Sequence, residues 1–466
     1  MNSSFSQNIK GLSLIFIFLA LLSVLASAQA MKQPMGQIID TIKCENSTDQ
    51  SYALYLPSEY TSDKKWPAIF FFEPMARGRL PLALYAHLAE KYGFILIGSN
   101  NSKNGLMDKS LLVFNSIKTD SKKKFNIDGD RIYTSGFSGG ARLAQYIANS
   151  EDSIAGVITI AGPKLEEKVE FRDKKDYVYF GIVGSRDMNF IEHKEYQKTL
   201  DRFGIKNTLL TYPSGHQWAP SKYFDMALKW LEIQFLLKQL NPSVDSRINE
   251  LIAETLVGLD SISALNKMDK NCYLSSVKKS ISPKENDLLN KQLKVLENDK
   301  NLMKSLAKEE KALKKEVKYY ETIYSALYQL KLCAYNQNQP LDSSIYSMRW
   351  WQLQINLLQS KAKKDGVKGD AAARSLDVIR GQVFGVNLQK SAQSNLDFKL
   401  YLSQIQVLLY PKSVWVLWNQ ALIFAERSEK ELAIECLDKA EHLDHDRLQN
   451  IKQDQLSSAA LYPYLY

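Results

Sequence analysis

The chain is poor in the residues that build disulfide scaffolds and metal centres. Cysteine occurs four times in 466 residues, at Cys44, Cys272, Cys333 and Cys436, and so wide a scatter excludes a small bridge-stapled domain. Three pairings stay open, and mostly unpaired, buried thiols are the expectation. No Cys-x-x-Cys or His-x-x-x-His spacing occurs, so neither a metal nor a cofactor is expected. The formal charge of +9 is modest for this length, and lysines are mixed with glutamates instead of forming a basic face. Nucleic acid is therefore not an expected partner, while an anionic surface or polysaccharide stays open. Only five histidines are present, so any chemistry that needs an imidazole base chooses among His87, His193, His216, His442 and His445.

The apolar run Leu12 to Leu25 is short for a stable membrane span. With Lys10 before it and Ala-Ser-Ala-Gln-Ala after it, the first 30 residues read as a secretory signal peptide, and no cysteine stands at the cleavage site to carry a lipid. The mature protein is expected to be secreted or periplasmic.

What the chain does have is Gly136-Phe137-Ser138-Gly139-Gly140. The preceding Arg131-Ile132-Tyr133-Thr134-Ser135 is β-branched and aromatic, as a strand requires, and Ala141 onward carries an apolar helical stripe through Ala144, Ile147 and Ala148. A serine between strand and helix, flanked by glycines, fits a nucleophile on a strained turn; a Gly-rich packing loop is the alternative. No Gly-Lys-Ser/Thr follows, which speaks against a P-loop. The turn aims the Gly139 N–H and a helix N-terminus at a developing oxyanion.

A serine hydroxyl needs a base, and the base needs an orienting acid. The apolar strand Tyr177 to Val183 runs into Gly-Ser-Arg-Asp and delivers Asp187. The strand Asn207 to Tyr212 runs into Pro-Ser-Gly-His and delivers His216. Both residues stand beyond strand carboxyl ends, where open α/β sheets place their chemistry. His87 lies within a helical stretch, and His442 and His445 lie far away. His193 follows Asp187 too closely and reads as surface in a polar Glu-His-Lys-Glu run. Asp173 and Asp176 sit in a charged, solvated run. Ser138, Asp187 and His216 are thus the candidate catalytic set.

These blocks, "FNIDGDRIYTSGFSGGARLA", "GSRD" and "GHQW", resemble those of secreted α/β-hydrolase esterases related to feruloyl and acetylxylan esterases and polyhydroxybutyrate depolymerases. The resemblance spans roughly Cys44 to Leu240. It implies a Ser-Asp-His acyl hydrolase acting on small-molecule or polysaccharide-linked esters, with a peptidase on the same triad or a lapsed, non-catalytic scaffold as alternatives. One departure stands out. Where many relatives read His-Gly, this chain has Glu73-Pro74, and proline has no N–H to donate. The expected oxyanion donors are therefore the N–H groups of Gly139 and Met75, with Glu73 expected to pair with Arg77 or Arg79.

Residues 31–240 read as an α/β-hydrolase domain, a mostly parallel doubly wound sheet able to fold alone. "SYALYLP" alternates as an edge strand, and "AIFFF", "FILIGSN" and "AGVITIAG" read as buried strands. Helices are expected over 80–92, 110–124, 141–149, 196–203 and 221–240. From residue 241 to 466 glycine becomes scarce and an all-α domain takes over. One amphipathic helix face is expected through Met303, Leu306, Leu313, Val317, Tyr320, Tyr324 and Leu327. "LWNQALIFAERSEKELAIECLDKAEHLDHD" resembles a tetratricopeptide repeat, with Ala421, Phe424, Ala433 and Ala440 at its crossing positions. Such a domain implies a protein partner or a brace for the hydrolase. Trp350 and Trp351 read as core.

The leader pattern predicts a mature N-terminus near Gln29 or Met31. N-terminal sequencing of protein from the expressing cell checks this; an intact Met1 on cytoplasmic protein would contradict it.

Overall fold

The computed structural model describes residues 33–163, 176–239, 242–282, 284, 286–335, 347–387 and 395–454. The expected leader (1–30), Asp173 and the Cys333 side chain lie outside this description.

Eight strands form one sheet: β1 (Ile38–Cys44), β2 (Ser47–Tyr55), β3 (Trp66–Phe72), β4 (Ile95–Ser99), β5 (Ile127–Phe137), β6 (Gly156–Ile160), β7 (Val178–Gly184) and β8 (Asn207–Tyr212). Their spatial order is β1-β2-β4-β3-β5-β6-β7-β8. β1 pairs antiparallel with β2, and β2 antiparallel with β4; every later neighbour is parallel. This is the α/β-hydrolase sheet. The continuous apolar run of β3 is buried throughout, as a strand covered on both faces must be. One expectation is corrected: β2 is not the edge, because β1 pairs outside it. β1 alternates polar residues with a few apolar ones, a pattern too weak to read as a strand from sequence.

Helices α1 (Arg79–Tyr92) and α5 (Ser221–Leu236) cover one face. Helices α2 (Met107–Lys124), α3 (Gly139–Ser150) and α4 (Phe190–Arg202) cover the other. α4 begins six residues before the expected 196, because its apolar positions Phe190, His193, Tyr196 and Leu200 recur at three-and-four spacing and are all buried. His193, expected on the surface, is therefore a core residue.

The described remainder is helical: α6 (Pro242–Ser261), α7 (Lys267–Ile281), α8 (Asp287–Glu297), α9 (Lys300–Tyr335), α10 (Met348–Ala362), α11 (Val367–Asn387), α12 (Leu396–Leu409), α13 (Val414–Glu426), α14 (Lys430–Leu443) and α15 (His445–Asp454). α9 is one continuous helix, and the face expected to turn inward does so only in part: Leu306 and Leu313 pack against the core. Tyr320 and Leu327 are buried beside Ile323 and Leu330, whereas Met303, Val317 and Tyr324 are exposed. Ala421, Ala433 and Ala440 are fully buried where α13 and α14 cross, with Phe424 beside them. Trp351 is buried, and its indole N–H donates to the Tyr401 hydroxyl at 3.0 Å. Cys44, Cys272 and Cys436 are free thiols.

The core does not stop at residue 240. Ile248, Leu251, Ile252, Tyr273, Leu274 and Val277 of α6 and α7 join the same apolar cluster as Phe180 and Trp230 of the sheet layer. The Trp230 indole N–H donates to Ser280 Oγ at 2.8 Å. Each such buried side chain stabilises by about 1.5–3 kcal/mol relative to exposure, so α6 and α7 complete the apolar cover of the sheet. A chain ending at Gln239 is expected to expose this face, unfold at lower temperature and denaturant than the whole protein, and bind a hydrophobic dye. A truncated chain with the whole protein's melting temperature would contradict this.

Candidate active site

Ser138 stands between β5 and α3 with φ 52° and ψ −120°. That is a sparsely populated conformation for a residue with a side chain, and it persists only because its surroundings over-determine it. A Cβ at Gly140 would lie 2.1 Å from the Phe72 carbonyl oxygen. Only glycine allows α3 to start so close to β3, and that close start turns Ser138 outward. As the first residue of α3, Gly139 has an N–H with no intrahelical acceptor.

The loops after β7 and β8 bring the other two candidates to this turn. Arg186 N–H donates to the Ser214 carbonyl at 2.8 Å, stitching the acid loop to the histidine loop. His216 Nε2 lies 3.0 Å from Ser138 Oγ. His216 Nδ1 lies 3.0 and 3.1 Å from the two carboxylate oxygens of Asp187. Asp187 is fully buried and also accepts the Asn189 N–H at 2.8 Å. Phe137 packs on the His216 ring with centroids 4.7 Å apart, and Trp218 stacks on Phe137. The structure thus joins Ser138, His216 and Asp187 in one hydrogen-bonded line. The remaining histidines lie apart from it: His87 is exposed on α1, and His442 and His445 belong to α14 and α15.

Met75 N–H, the expected second oxyanion donor, is engaged within its own loop. Met75 N–H donates to Glu73 Oε2 at 2.8 Å, Arg77 N–H reaches the same oxygen at 3.2 Å, and Ala76 N–H donates to the Glu73 carbonyl at 2.8 Å. With proline at 74, Glu73 absorbs every N–H from 75 to 77. The Arg77 guanidinium pairs with the other carboxylate oxygen, while Arg79 pairs with Asp40. Burial alone would raise the Glu73 carboxyl, but hydrogen bonds from the Arg77 side chain and the two N–H groups hold it below its ordinary range.

The helical half reaches the site through one face of α11. Asp370 accepts from Arg186 Nε at 2.7 Å, and the Arg374 guanidinium donates to the Ser185 carbonyl. Arg374 is anchored by Glu316 of α9, its Nε 2.7 Å from Oε1, in a pair that is almost wholly buried. At the same three-and-four spacing follow Asp377, whose carboxyl is raised mainly by burial, and Gly381, facing Met188. α11 therefore lies along the loop that carries Asp187. Beyond it opens a cleft of about 650 Å³, lined by His216 and Met188 from the hydrolase half and by Arg380, Phe384, Tyr410 and Trp415 from the helical half. Arg380 bonds Asp377 at 2.8 Å and lies over the Tyr410 ring. None of these helical-half residues was read from sequence as a site residue, because nothing in a helical periodicity says which neighbour a helix face will meet. Among the described residues no cluster of His, Cys, Asp and Glu is arranged to hold a metal ion, and no helix is long and apolar enough to cross a membrane.

No family model matches the chain, and no curated protein matches it. Among solved structures it is similar to an S-formylglutathione hydrolase from Staphylococcus aureus, at 13% identity over 42% of this chain and 98% of that one, with a TM-score of 0.35. It is similar to a ferulic acid esterase at 15% identity, over 41% and 94% of the chains, with a TM-score of 0.34. It is also similar to esterase 2 of Thermogutta terrifontis at 13% identity, over 43% and 93%, with a TM-score of 0.34.

His193 lies behind the site, fully buried, with Nδ1 3.5 Å from the Tyr179 hydroxyl and, among the described residues, no partner for Nε2. Burial first, then the neighbouring Arg142 and His216, pushes its pKa down to about 3. The folded protein therefore keeps His193 neutral while the unfolded chain takes up a proton below the ordinary histidine value of about 6.5. The contribution is complete above that value and is lost as the pH falls toward 3, at up to about 1.4 kcal/mol per pH unit. Chemical unfolding between pH 7 and pH 5 is expected to show this slope, and His193→Asn to flatten it; an unchanged slope in the variant would contradict it.

Proposed function

We propose that this protein is a secreted or periplasmic serine hydrolase that cleaves carboxylic esters. One observation carries the reading: Ser138 Oγ, His216 and the buried Asp187 form a continuous hydrogen-bonded line with 3.0 Å at each joint. Ser138 Oγ attacks the ester carbonyl while His216 Nε2 takes its proton. The same nitrogen then returns the proton to the departing alkoxide, and a water repeats the sequence to free the acid. Asp187 holds the imidazole with Nε2 toward the serine and stabilises the imidazolium. The free Gly139 N–H receives the negative charge that develops on the carbonyl oxygen.

The helical half serves as the wall of the substrate cleft. A volume of about 650 Å³ lies within the range of sites for small organic ligands, which are mostly apolar with a few placed polar groups. Val383, Phe384, Leu409, Tyr410 and Trp415 supply the apolar surface, and the Asp377–Arg380 pair supplies the polar one. The reading is therefore an esterase for substrates with a bulky group beside the scissile bond, small-molecule or polysaccharide-linked.

A second reading, a lapsed scaffold, draws on the engagement of the 75–77 N–H groups by Glu73. A fluorophosphonate probe separates the two, since it needs an activated serine and not the natural substrate. Covalent labelling of the whole protein is expected, with Ser138→Ala abolishing it. Loss of His216 in His216→Ala is expected to lower turnover of an activated ester by several orders of magnitude, and Asp187→Asn by about 10⁴-fold. A folded wild-type protein that takes no label would establish the scaffold reading instead, and label retained in Ser138→Ala would mean that another serine reacts.

A further inference from the structure

A tetrahedral intermediate at Ser138 needs more than one hydrogen-bond donor, and Gly139 N–H is a single one. In this chain the loop after β3 has no N–H to spare. Pro74 has none, and those of Met75, Ala76 and Arg77 end on Glu73. The Glu73 carboxylate is 1% exposed, is paired with Arg77 and is held ionised, so freeing Met75 N–H would leave a buried charge short of a donor.

The loop after β4 comes to the same place. Asn104 N–H donates to the Pro74 carbonyl at 2.9 Å, and Met75 forms an antiparallel bridge with Lys103. These two contacts zip the loops together directly above the start of α3. They set the Asn104 carboxamide against Gly139: a Cβ at 139 would lie 1.9 Å from Asn104 Oδ1 and 2.9 Å from Nδ2. The amide thus fills the space that a side chain on the residue after Ser138 would occupy, beside the free Gly139 N–H. Among the described residues it has no hydrogen-bond partner, and it is exposed. An unpartnered carboxamide has two N–H donors to offer, and rotation about its terminal torsion chooses which end faces inward.

On the reading of Ser138 as the nucleophile, we propose that Asn104 is a catalytic residue, its Nδ2 acting with Gly139 N–H as the donor pair for the oxyanion. As the Oγ–C bond forms and the Ser138 proton passes to His216, the carbonyl π pair moves onto oxygen, and Nδ2–H and Gly139 N–H share that charge. When the pair returns, the C–O bond to the leaving group breaks and His216 Nε2 gives the alkoxide its proton. The amide replaces, from a neighbouring loop, the backbone donor that Glu73 has taken. It also accounts for glycine at 139, since any larger residue would push the amide away from the N–H it works with.

Steady-state hydrolysis of an activated ester by the full-length protein tests this with Asn104→Ala, Asn104→Asp and Asn104→Gln. A side-chain oxyanion donor is worth about 10²–10³ in kcat. Asn104→Ala is expected to lose that much in kcat with KM within about two-fold, a split that arises when only the transition state is affected. Asn104→Asp, of equal shape but anionic and donorless, is expected to fall at least as far, and Asn104→Gln to retain more than either. Affinity for a boronic acid that forms a tetrahedral adduct is expected to fall in Asn104→Ala, while circular dichroism and melting temperature stay as in wild type. Wild-type labelling by fluorophosphonate with Asn104→Ala within about three-fold of wild-type kcat would overturn the proposal alone and return the role to Met75 N–H. A wild-type protein without labelling would overturn this assignment together with the hydrolase reading.

Discussion

The molecule is organised around the close approach of two backbones. The first turn of α3 passes so near the end of β3 that a Cβ at Gly140 would stand 2.1 Å from the Phe72 carbonyl. That contact fixes where the helix begins, and with it the left-handed conformation of Ser138 at φ 52°. The two loops stitched by Arg186 and Ser214 then need only meet a point already set by the sheet. The strain at Ser138 is held by strands buried on both faces, which cannot shift without opening the core. The conformation of this turn is thus fixed by the packing of α3 on the sheet.

The second organising fact is that the two halves of the chain share their interior. α6 and α7 finish the apolar cover of the sheet, and α11 lies along the acid loop with Asp370, Arg374, Asp377 and Gly381 on one face. The Arg374–Glu316 pair, 3% and 2% exposed, is costly to bury and costlier to break, since either partner alone would be an unpaired charge away from water. Its geometry orients Arg374 toward the Ser185 carbonyl. On the proposed chemistry, the helical half is a structural part of the esterase: it braces Asp187 from behind and encloses the substrate in front.

Much of the hydrolase half was legible because its signals are local. β8 begins and ends where its apolar run does, and Asp187 and His216 each follow a strand that the composition makes plain. Strained turns also announce themselves through glycine. What was not legible depends on partners distant in sequence. β1 is a strand only because β2 lies beside it. His193 sits in a run of charged residues, yet the helical period places it inward with Phe190 and Leu200. The inward face of α9 was read only in part: Tyr320 and Leu327 turn inward as expected, but Met303 and Val317, which look like core in isolation, are exposed, and the neighbouring helices also take Ile323 and Leu330. Glu73 was read as the partner of Arg77 or Arg79, and the structure pairs it with Arg77, but its capture of the Met75 N–H follows from a carboxylate folding back on its own loop. Periodicity and composition do not report such a bond.

The contacts of α11 with the acid loop make the traffic between the halves two-way. Whatever steadies Ser185 and Arg186 also steadies α11, because one set of hydrogen bonds belongs to both; free energy spent at either end is felt equally at the other. On the proposed chemistry, a ligand that binds more tightly with α11 in this position would in turn stabilise that position. Among the described residues the polar joints between the acid loop and the helices are Arg374 to the Ser185 carbonyl, with Arg374 held by Glu316, and Arg186 to Asp370.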